Sequence, residues 1–171
     1  MKIREARMED AAGIARVQVE SWKTTYQGIV SDSYLSSLSV SQRTDRWGEI
    51  LRNCGEDQAI YSAESHEGEV VGFAIGGPSR SQEYSYEGEL YAIYLLKTYQ
   101  GQGAGRSLFH AIAEFLRGNG CGSMIIWALQ DNPAGRFYEA MGGRPVGQKI
   151  IEIGGEEHVE VAYAWDDMAL L

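Results

Sequence analysis

Hydrophobic and polar positions in the first third of the chain alternate with two different periods, which predict one strand followed by helices. Lys2–Ala6 alternates and predicts a short strand. Asp10 then precedes apolar residues at helical spacing, and we expect it to cap a first helix. A short second helical turn is expected around Leu35, and Ser41 is expected to cap a helix that carries Trp47. The apolar positions of the first helix are Ile14, Val17, Trp22 and Tyr26.

The middle of the chain has the two-residue period of β-structure. Ala59–Ala63 and Val70–Ile75 are joined by the polar turn SHEGE, which predicts a hairpin. We expect residues Gly76–Pro78 to end the second strand and residues Ser79–Glu87 to form a long connection. Glu89–Leu96, with the sequence ELYAIYLL, is rich in aromatic and branched residues and predicts a central strand.

The last third of the chain predicts two helices and three strands. A helix follows the glycine-rich stretch Gln100–Arg106 and ends near Gly118. Ser123–Leu129 is almost wholly apolar and predicts a strand buried on both faces, and Ala134–Met141 predicts a short helix behind Pro133. The remaining residues alternate around a Gly-Gly turn and predict a closing hairpin. The order β-α-α-ββ-β-α-β-α-ββ predicts one α/β (α+β) domain over residues 1–171, with a central mixed sheet flanked by helices.

Composition and charge narrow the classes of function. The chain has 24 acidic and 15 basic residues and a net charge of −9. This balance argues against a nucleic-acid partner, because phosphate contacts need clustered Lys and Arg, and it suits a cationic acceptor such as an amine. No stretch approaches the roughly 20 consecutive apolar residues of a membrane span, and the charged start is unlike a signal peptide. We therefore expect a cytoplasmic protein in which Cys54 and Cys121 are reduced structural thiols.

The glycine-rich stretch QGQGAGR, Gln100–Arg106, joins the central strand directly to a helix. Glycines allow backbone N–H groups to face an anion, and the start of a helix adds unpaired N–H groups, so the pattern predicts a diphosphate site to which Arg106 adds charge. A Walker loop would need a lysine where Arg106 stands, and a dinucleotide fingerprint would need the spacing G-x-G-x-x-G. The structural alternative is a tight turn between strand and helix.

Two motifs in this chain resemble those of the GCN5-related N-acetyltransferase (GNAT) superfamily, in the form found in bacteria. Gln100-x-x-Gly103-x-Gly105 after a central strand is similar to the family's pyrophosphate signature. DNPAGRFYEAMGGR, residues 131–144, is similar to its second motif, and SWKTTYQGIV, residues 21–30, to a segment common in bacterial members. The resemblance covers nearly the whole chain. It implies the GNAT acyl-CoA N-acyltransferase fold, with acetyl-CoA as cosubstrate and no metal.

The resemblance also implies which residues hold the cofactor. The backbone of the central strand would pair with the pantetheine arm, although the side chains of this run are equally explained as core. In the second motif the family's asparagine position is occupied by Asp131, and the asparagine stands one place later at Asn132; either is a candidate for the arm, and Asn132 has a helix cap as its alternative role. The implied cofactor residues are Ile93, Tyr94, Leu95, Gln100, Gly101, Gln102, Gly103, Ala104, Gly105, Arg106 and Asn132.

Tyr138 and Glu89 are the catalytic residues that the resemblance implies. Tyr138 would protonate the departing thiolate, a role that suits a phenol of pKa about 10, and its alternative is a packed aromatic on an amphipathic helix. Glu89 would act as the base, directly or through water; the alternative is a residue in solvent or paired with a cation. Lesser candidates for the base are His158, Glu160 and Glu20.

The implied reaction is direct transfer of an acetyl group to a primary amine of a small molecule or peptide, without a covalent enzyme intermediate. The developing oxyanion would be held by a backbone N–H, expected at Leu95. Two alternatives stay open: a non-catalytic coenzyme A sensor or scaffold of the same fold, and transfer to oxygen or from a larger acyl group. Assembly of the chain as a homodimer is also left open by the sequence. Four aromatic residues are candidates for a wall that contacts the acceptor amine, although core packing is their preferred role. They are Trp22, Tyr26, Tyr34 and Trp47.

Overall fold

The computed structural model describes all residues from 1 to 171, and its centre is one seven-stranded mixed sheet. The strands are β1 (Lys2–Glu5), β2 (Ala59–Glu64), β3 (Val70–Pro78), β4 (Gly88–Leu95), β5 (Met124–Leu129), β6 (Arg144–Ile153) and β7 (Glu156–Trp165). Their order in the sheet is β1-β2-β3-β4-β5-β7-β6. All neighbours are antiparallel except β4 and β5, which are parallel and connected by a crossover helix.

Five α-helices flank the sheet. They are α1 (Ala11–Thr25), α2 (Asp32–Ser37), α3 (Val40–Arg52), α4 (Ala104–Gly118) and α5 (Gly135–Ala140). Short 3₁₀ turns occupy Met8–Asp10, Lys97–Tyr99 and Met168–Leu170. The predicted mixed-sheet α/β architecture is confirmed, and the order of elements differs from the prediction only in that the helical turn expected around Leu35 is a third helix, α2, before the first hairpin. None of the helices has the length and apolar character needed to cross a membrane.

Two helix caps differ from the prediction. Ser39, and not Ser41, caps α3, because its hydroxyl accepts the backbone N–H of Gln42 at 3.3 Å. Asp10 makes no side-chain cap to α1. Its carboxylate instead accepts two hydrogen bonds from the Arg4 guanidinium, at 2.7 and 2.9 Å, and one from the buried Ser62 hydroxyl at 3.3 Å. The polar residue before the helix therefore ties α1 to the first two strands.

Asp10 is charged and buried in this arrangement. Burial raises the pKa of its carboxyl, but hydrogen bonds from the Arg4 side chain and the Arg7 N–H outweigh burial and hold the pKa below its usual value. Arg4 also donates to Glu64 at 2.6 Å. The ion pair therefore links β1, β2 and the start of α1.

Strand β3 continues through Gly76–Pro78, whereas the sequence pattern predicted that these residues end it. Gly76 and Gly77 pair with Leu90 and Glu89 of β4 across a bulge. The reason is packing against α4: a Cβ on Gly76 would lie 2.6 Å from the Ile112 side chain. Gly76 therefore allows a close approach of helix and strand rather than a turn.

The core has two layers, one on each face of the sheet. Leu108, Phe109 and Ile112 of α4 are fully buried on one face. On the other face Trp47 of α3 packs edge-on against Phe73 of β3, with 4.9 Å between ring centroids. The sheet is thus covered on both sides, as expected for a domain of this class.

The junction of β4 and β5 is the one place where the sheet opens. Only Gly88 and Glu89 of β4 pair with β5, opposite Met124 and Ile125. From Leu90 onward the two strands have no ladder between them. We call this gap, between Leu90–Leu95 and Ile126–Leu129, the seam.

Candidate active site

A cavity of about 520 Å³ opens along the seam. It is bounded by the end of β4, the glycine-rich loop before α4, the residues around α5, and α1. Most of the predicted cofactor residues and one predicted catalytic residue line it, namely Ile93, Tyr94, Leu95, Gln100, Gly101, Gly103, Gly105, Arg106, Asn132 and Tyr138. Gln102 and Ala104 belong to the loop but do not line the cavity, and Glu89 does not line it either.

The glycine-rich loop presents a row of unpaired backbone donors. Gly101 and Gly103 have φ angles of +75° and +87°, which favour glycine, and the space where a Cβ would stand is open at both. The first backbone hydrogen bond of α4 is from Ser107 N–H to the Gly103 carbonyl, so the N–H groups from Gly101 to Arg106 donate to no backbone or side-chain acceptor. Arg106 is exposed and forms no salt bridge. The loop therefore offers an anion site.

Two glutamine side chains hold this loop against the end of β4. Gln100 donates from its Nε2 to the Leu95 carbonyl at 3.1 Å, and Gln102 donates to the Thr98 carbonyl at 3.2 Å. Both side chains therefore shape the loop from within.

The backbone of Leu95 faces the seam. Leu96 N–H donates to the Val71 carbonyl of β3 at 2.9 Å. Because N–H groups alternate in direction along a strand, the N–H groups of Leu95 and Ile93 point away from β3, toward the seam. The Leu95 carbonyl, which accepts from Gln100, points the same way. Two backbone donors of β4 are thus directed into the cavity.

Side chains on β4 divide between the two faces of the sheet. Ile93 and Leu95 pack with the α4 layer. Tyr94 packs on the opposite face, where its hydroxyl accepts a hydrogen bond from Trp22 Nε1 at 2.9 Å. Burial raises the pKa of Tyr94. The strand therefore contributes backbone to the seam and side chains to the core.

Tyr138 lies on α5 with only 4% of its surface exposed, and its hydroxyl makes no hydrogen bond within the protein. The ring packs against Phe137 and Tyr163, each with centroids 5.5 Å away. Burial, with the neighbouring tyrosines as a further contribution, raises its pKa well above the ordinary value. The phenol therefore stays protonated and can donate into the cavity that it lines.

Asn132 lines the cavity, whereas Asp131 is exposed and does not. The Asn132 side chain is already engaged at both ends. Its Nδ2 donates to the Tyr26 hydroxyl at 2.9 Å and its Oδ1 accepts the Ala134 N–H at 2.9 Å. It thus fixes Tyr26 and the turn that precedes α5, but it does not cap that helix, whose N-cap is Ala134.

Glu89 lies at the paired end of β4, opposite Ile125. It is 3% exposed, and its carboxylate accepts the Arg80 backbone N–H at 2.8 Å and the Arg80 guanidinium at 2.7 Å. Arg80 also stacks over the Tyr91 ring at 3.9 Å. The structure therefore does not bring Glu89 and Tyr138 together; it gives Glu89 the cation partner that was the alternative to a catalytic role.

None of the lesser candidates for the base lines the cavity. Glu20 is exposed on α1. His158 and Glu160 lie on one face of β7, and Glu160 pairs with Lys149 at 3.6 Å. Burial is the main cause of the raised pKa of Tyr26, and the charge of Glu160 contributes to it. Among the three, Glu160 is the one whose charge reaches a residue beside the cavity.

The predicted aromatic set separates into two groups. Trp47 is a core residue, 4% exposed, with its Nε1 donating to Gln18 at 2.8 Å. Trp22 packs on Tyr26 and Tyr34, with centroid distances of 4.5 and 6.1 Å. This second group lies beside Asn132 and Tyr94, at the edge of the cavity.

Sequence reasoning did not name the two polar residues, Ser21 and Thr25, that α1 contributes to the cavity wall. Ser21 is only 3% exposed. A signal was present: Ile14, Val17 and Ser21 are spaced i, i+3 and i+7, so a polar residue interrupts the buried stripe of the helix. Other unpredicted lining residues are Pro133, Ala134, Phe137, Ala140 and Met141.

Comparisons with known proteins agree with this geometry. Residues 20–143 match the Acetyltransferase (GNAT) family. The chain is 41% identical over 169 residues to the uncharacterized N-acetyltransferase YuaI of Bacillus subtilis, covering 99% of this chain and 95% of the relative. It is 27% identical over 153 residues to an uncharacterized N-acetyltransferase of Mycobacterium tuberculosis, covering 86% of this chain and 91% of that protein.

Solved structures share the fold at low identity. The PaiA N-acetyltransferase from Thermoplasma acidophilum, in complex with coenzyme A, has a TM-score of 0.66 and 21% identity and covers 94% of this chain and 96% of its own. YncA from Salmonella typhimurium, with its cofactor acetyl-CoA, has a TM-score of 0.70 and 18% identity and covers 96% of this chain and 92% of its own. Fold, cavity and matched residues define one class: this chain belongs to the acetyltransferase (GNAT) family.

Proposed function

We propose that this protein is an acetyl-CoA-dependent N-acetyltransferase that acts on a primary amine of a small molecule or peptide. The observation that carries the proposal is the row of free N–H groups from Gly101 to Arg106, which opens into the same cavity as the unpartnered hydroxyl of Tyr138. The first feature fits a diphosphate and the second fits an acid that protonates a leaving group. Fold relatives solved with coenzyme A or acetyl-CoA support this reading of the cavity.

The residues present fit coenzyme A along the whole seam. The loop N–H groups and Arg106 would hold the diphosphate, because helix N-termini favour anions and the Arg106 side chain is unpaired. Of the two N–H groups that point into the gap that β5 leaves, that of Ile93 would pair with the amide-containing pantetheine arm. A volume of about 520 Å³ is within the usual range for a ligand site of roughly 300–1,000 Å³.

Acetyl-CoA, when bound, supplies an activated thioester carbonyl. The backbone N–H of Leu95 is the donor proposed for the oxyanion that develops there, because it is already directed into the cavity and needs no reorganisation. Tyr138 would give its proton to the coenzyme A thiolate. Its raised pKa keeps the phenol protonated before the reaction.

The amine must lose a proton, and no carboxylate or imidazole lines the cavity. Glu89 is committed to Arg80 at the closed end of the sheet. Glu160 lies where its charge reaches Tyr26 and Tyr94, on the face of the sheet that carries Trp22. We therefore propose that the proton leaves on this face through water, with Glu160 a better-placed acceptor than Glu89.

The test is an acetyl-CoA consumption screen over polyamines, amino acids, aminoglycosides and peptide N-termini, combined with calorimetric titration of coenzyme A. Turnover with an amine, together with coenzyme A binding, would support the proposal. Binding of coenzyme A without turnover of any amine would favour the sensor alternative. Absence of coenzyme A binding would overturn the assignment of the cavity.

A further inference from the structure

Ser21 is a buried serine whose hydroxyl has no partner. The residue is 3% exposed on α1, and no hydrogen-bond acceptor or donor lies within reach of its Oγ. Ser21 also forms part of the cavity wall, together with Leu95 and Tyr138. A polar group that is shielded from water and left unpaired is destabilising, so such groups are rare in folded proteins and usually mark a site that something else completes.

The Ser21 hydroxyl makes no hydrogen bond to its own helix. Serine and threonine inside helices commonly bond back to a carbonyl one turn earlier. Thr24, three residues later on α1, does this with the carbonyl of Glu20 at 3.0 Å. Ser21 does not. Its hydroxyl is therefore not used for helix structure.

A second buried serine provides the contrast. Ser62 on β2 is fully buried, and its hydroxyl donates to Asp10 at 3.3 Å. Ser62 is thus a structural hydroxyl with its partner inside the protein. Ser21 has the same chemistry and nearly the same burial, but its hydroxyl has no partner inside the protein and the residue borders the cavity.

The position of Ser21 along the cavity indicates what would complete it. The anion loop Gly101–Arg106 occupies the α4 side, and Ser21 lies on α1, which packs over the opposite face of β4. A ligand with its diphosphate at the loop would bring its far end, the acyl thioester, toward Ser21. The uncharged oxygen available at that end is the thioester carbonyl, which can accept two hydrogen bonds.

We propose that the Ser21 hydroxyl donates a hydrogen bond to the carbonyl oxygen of the acyl thioester, beside the N–H of Leu95. The inference rests on the proposed acetyl-CoA function and extends it, because it assigns Ser21 as a residue that senses the acyl group rather than coenzyme A. Ser21 then distinguishes acetyl-CoA, which carries the thioester carbonyl, from ligands that lack this oxygen.

Calorimetric titration with two ligands tests the assignment. Acetyl-CoA carries the carbonyl oxygen, and S-ethyl-CoA is the thioether of nearly the same shape without it. We expect Ser21→Ala to weaken acetyl-CoA binding by about fivefold and to leave S-ethyl-CoA binding within about twofold, since one neutral hydrogen bond is removed from one ligand only. Equal weakening of both ligands, or no weakening of either, would overturn the inference.

Thermal unfolding without ligand separates this role from a structural one. Ser21→Ala should leave the melting temperature unchanged or slightly raised, because no hydrogen bond is lost. Ser62→Ala is the matched control and should lower it. A fall with Ser21→Ala as large as that with Ser62→Ala would show a structural role.

If the unmodified protein binds neither ligand, the proposed function itself fails. If it binds both and the two ligands respond alike to Ser21→Ala, only the Ser21 inference fails.

Discussion

The two ends of strand β4 differ in how completely their polar groups are paired. At the end near Gly88 the strand pairs with β5, and the buried Glu89 carboxylate has two hydrogen bonds from Arg80. At the end near Leu95 the strand leaves β5, and backbone N–H groups point into a cavity. The first end has the properties of a structural support, and the second has the properties of a binding site.

Burial alone therefore does not identify functional groups in this protein. Glu89 and Tyr138 are almost equally buried, at 3% and 4% exposure. Glu89 accepts two hydrogen bonds from Arg80, whereas Tyr138 makes none within the protein, and only Tyr138 faces the cavity. Because unpaired buried groups are destabilising, we expect substitutions at the paired end to affect stability and substitutions at the open end to affect binding or turnover.

The largest effect is expected from Gly103→Val at the open end. A valine at φ +87° is strained, and its branched side chain would cover the backbone N–H groups of the loop. We expect coenzyme A binding to weaken by about 100-fold or more, measured by calorimetric titration.

Gly120→Val is the matched control for that substitution. Gly120 has the same φ angle and the same open surroundings, but it lies after the other end of α4. Both variants should lose similar stability, by about 1–3 kcal/mol for a residue forced into this region. Coenzyme A binding should survive in Gly120→Val. Retained binding in Gly103→Val would contradict the loop assignment.

Tyr138→Phe should lower turnover while leaving cofactor affinity in place. The change removes only a hydroxyl that makes no hydrogen bond within the protein, so packing is kept and the proton donor is lost. We expect kcat to fall by about 100-fold and the dissociation constant for coenzyme A to stay within about twofold. Tyr163→Phe, on the neighbouring ring outside the cavity, is the control and should be close to normal. An unchanged kcat in Tyr138→Phe would remove the tyrosine from the mechanism.

Glu89→Gln tests the paired end. Loss of the buried charge weakens both hydrogen bonds from Arg80, so the free energy of unfolding should fall by about 2 kcal/mol in urea titrations. Turnover at saturating substrate should fall less than about threefold, because the carboxylate lies outside the cavity. A fall of 100-fold, with loss of the low-pH limb of the pH–rate profile, would instead restore Glu89 as the base.

Asp10 is a paired group far from the seam. Its substitution should change the free energy of unfolding by the smallest amount among these predictions. Its pKa is lower in the folded protein than in the unfolded chain. Its contribution to stability is therefore complete above the unfolded pKa of about 3.9 and is lost as the pH falls through the lower folded value. The difference in unfolding free energy between the parent protein and Asp10→Asn should shrink as the pH is lowered from 6 to 3, by about 1 kcal/mol in urea titrations. A difference that stays constant over this range would exclude the linkage.

Local sequence pattern was sufficient for much of the fold. The order of strands and helices follows from alternation, helical spacing and glycine positions, since each acts over a few residues. The predicted end of β3 was wrong because Gly76 packs against Ile112, a residue of α4 far along the chain. The predicted helix cap at Asp10 was wrong for the same reason, because its partners Arg4 and Ser62 lie on two different strands. A local sequence pattern does not predict contacts between segments that are distant along the chain.

The candidate site divides in the same way. The anion loop is a contiguous motif, so its residues could be named from the sequence, and the structure brings most of them to one cavity. Glu89 was placed by the resemblance, but its partner Arg80 comes from the connection between β3 and β4, which has no pattern of its own. Ser21 was missed because its significance depends on a partner that is absent, and absence is visible only once all its neighbours are placed.

The seam has a consequence for hydrogen exchange. Strand β5 is paired with β7 along its whole length but with β4 only at Met124 and Ile125. Since successive amides of a strand point to opposite neighbours, those from Ile126 to Leu129 should alternate between slow exchange, toward β7, and fast exchange, toward the seam. A ligand arm lying in the seam would remove this alternation, so the exchange pattern of a few amides would report occupancy of the gap without any turnover.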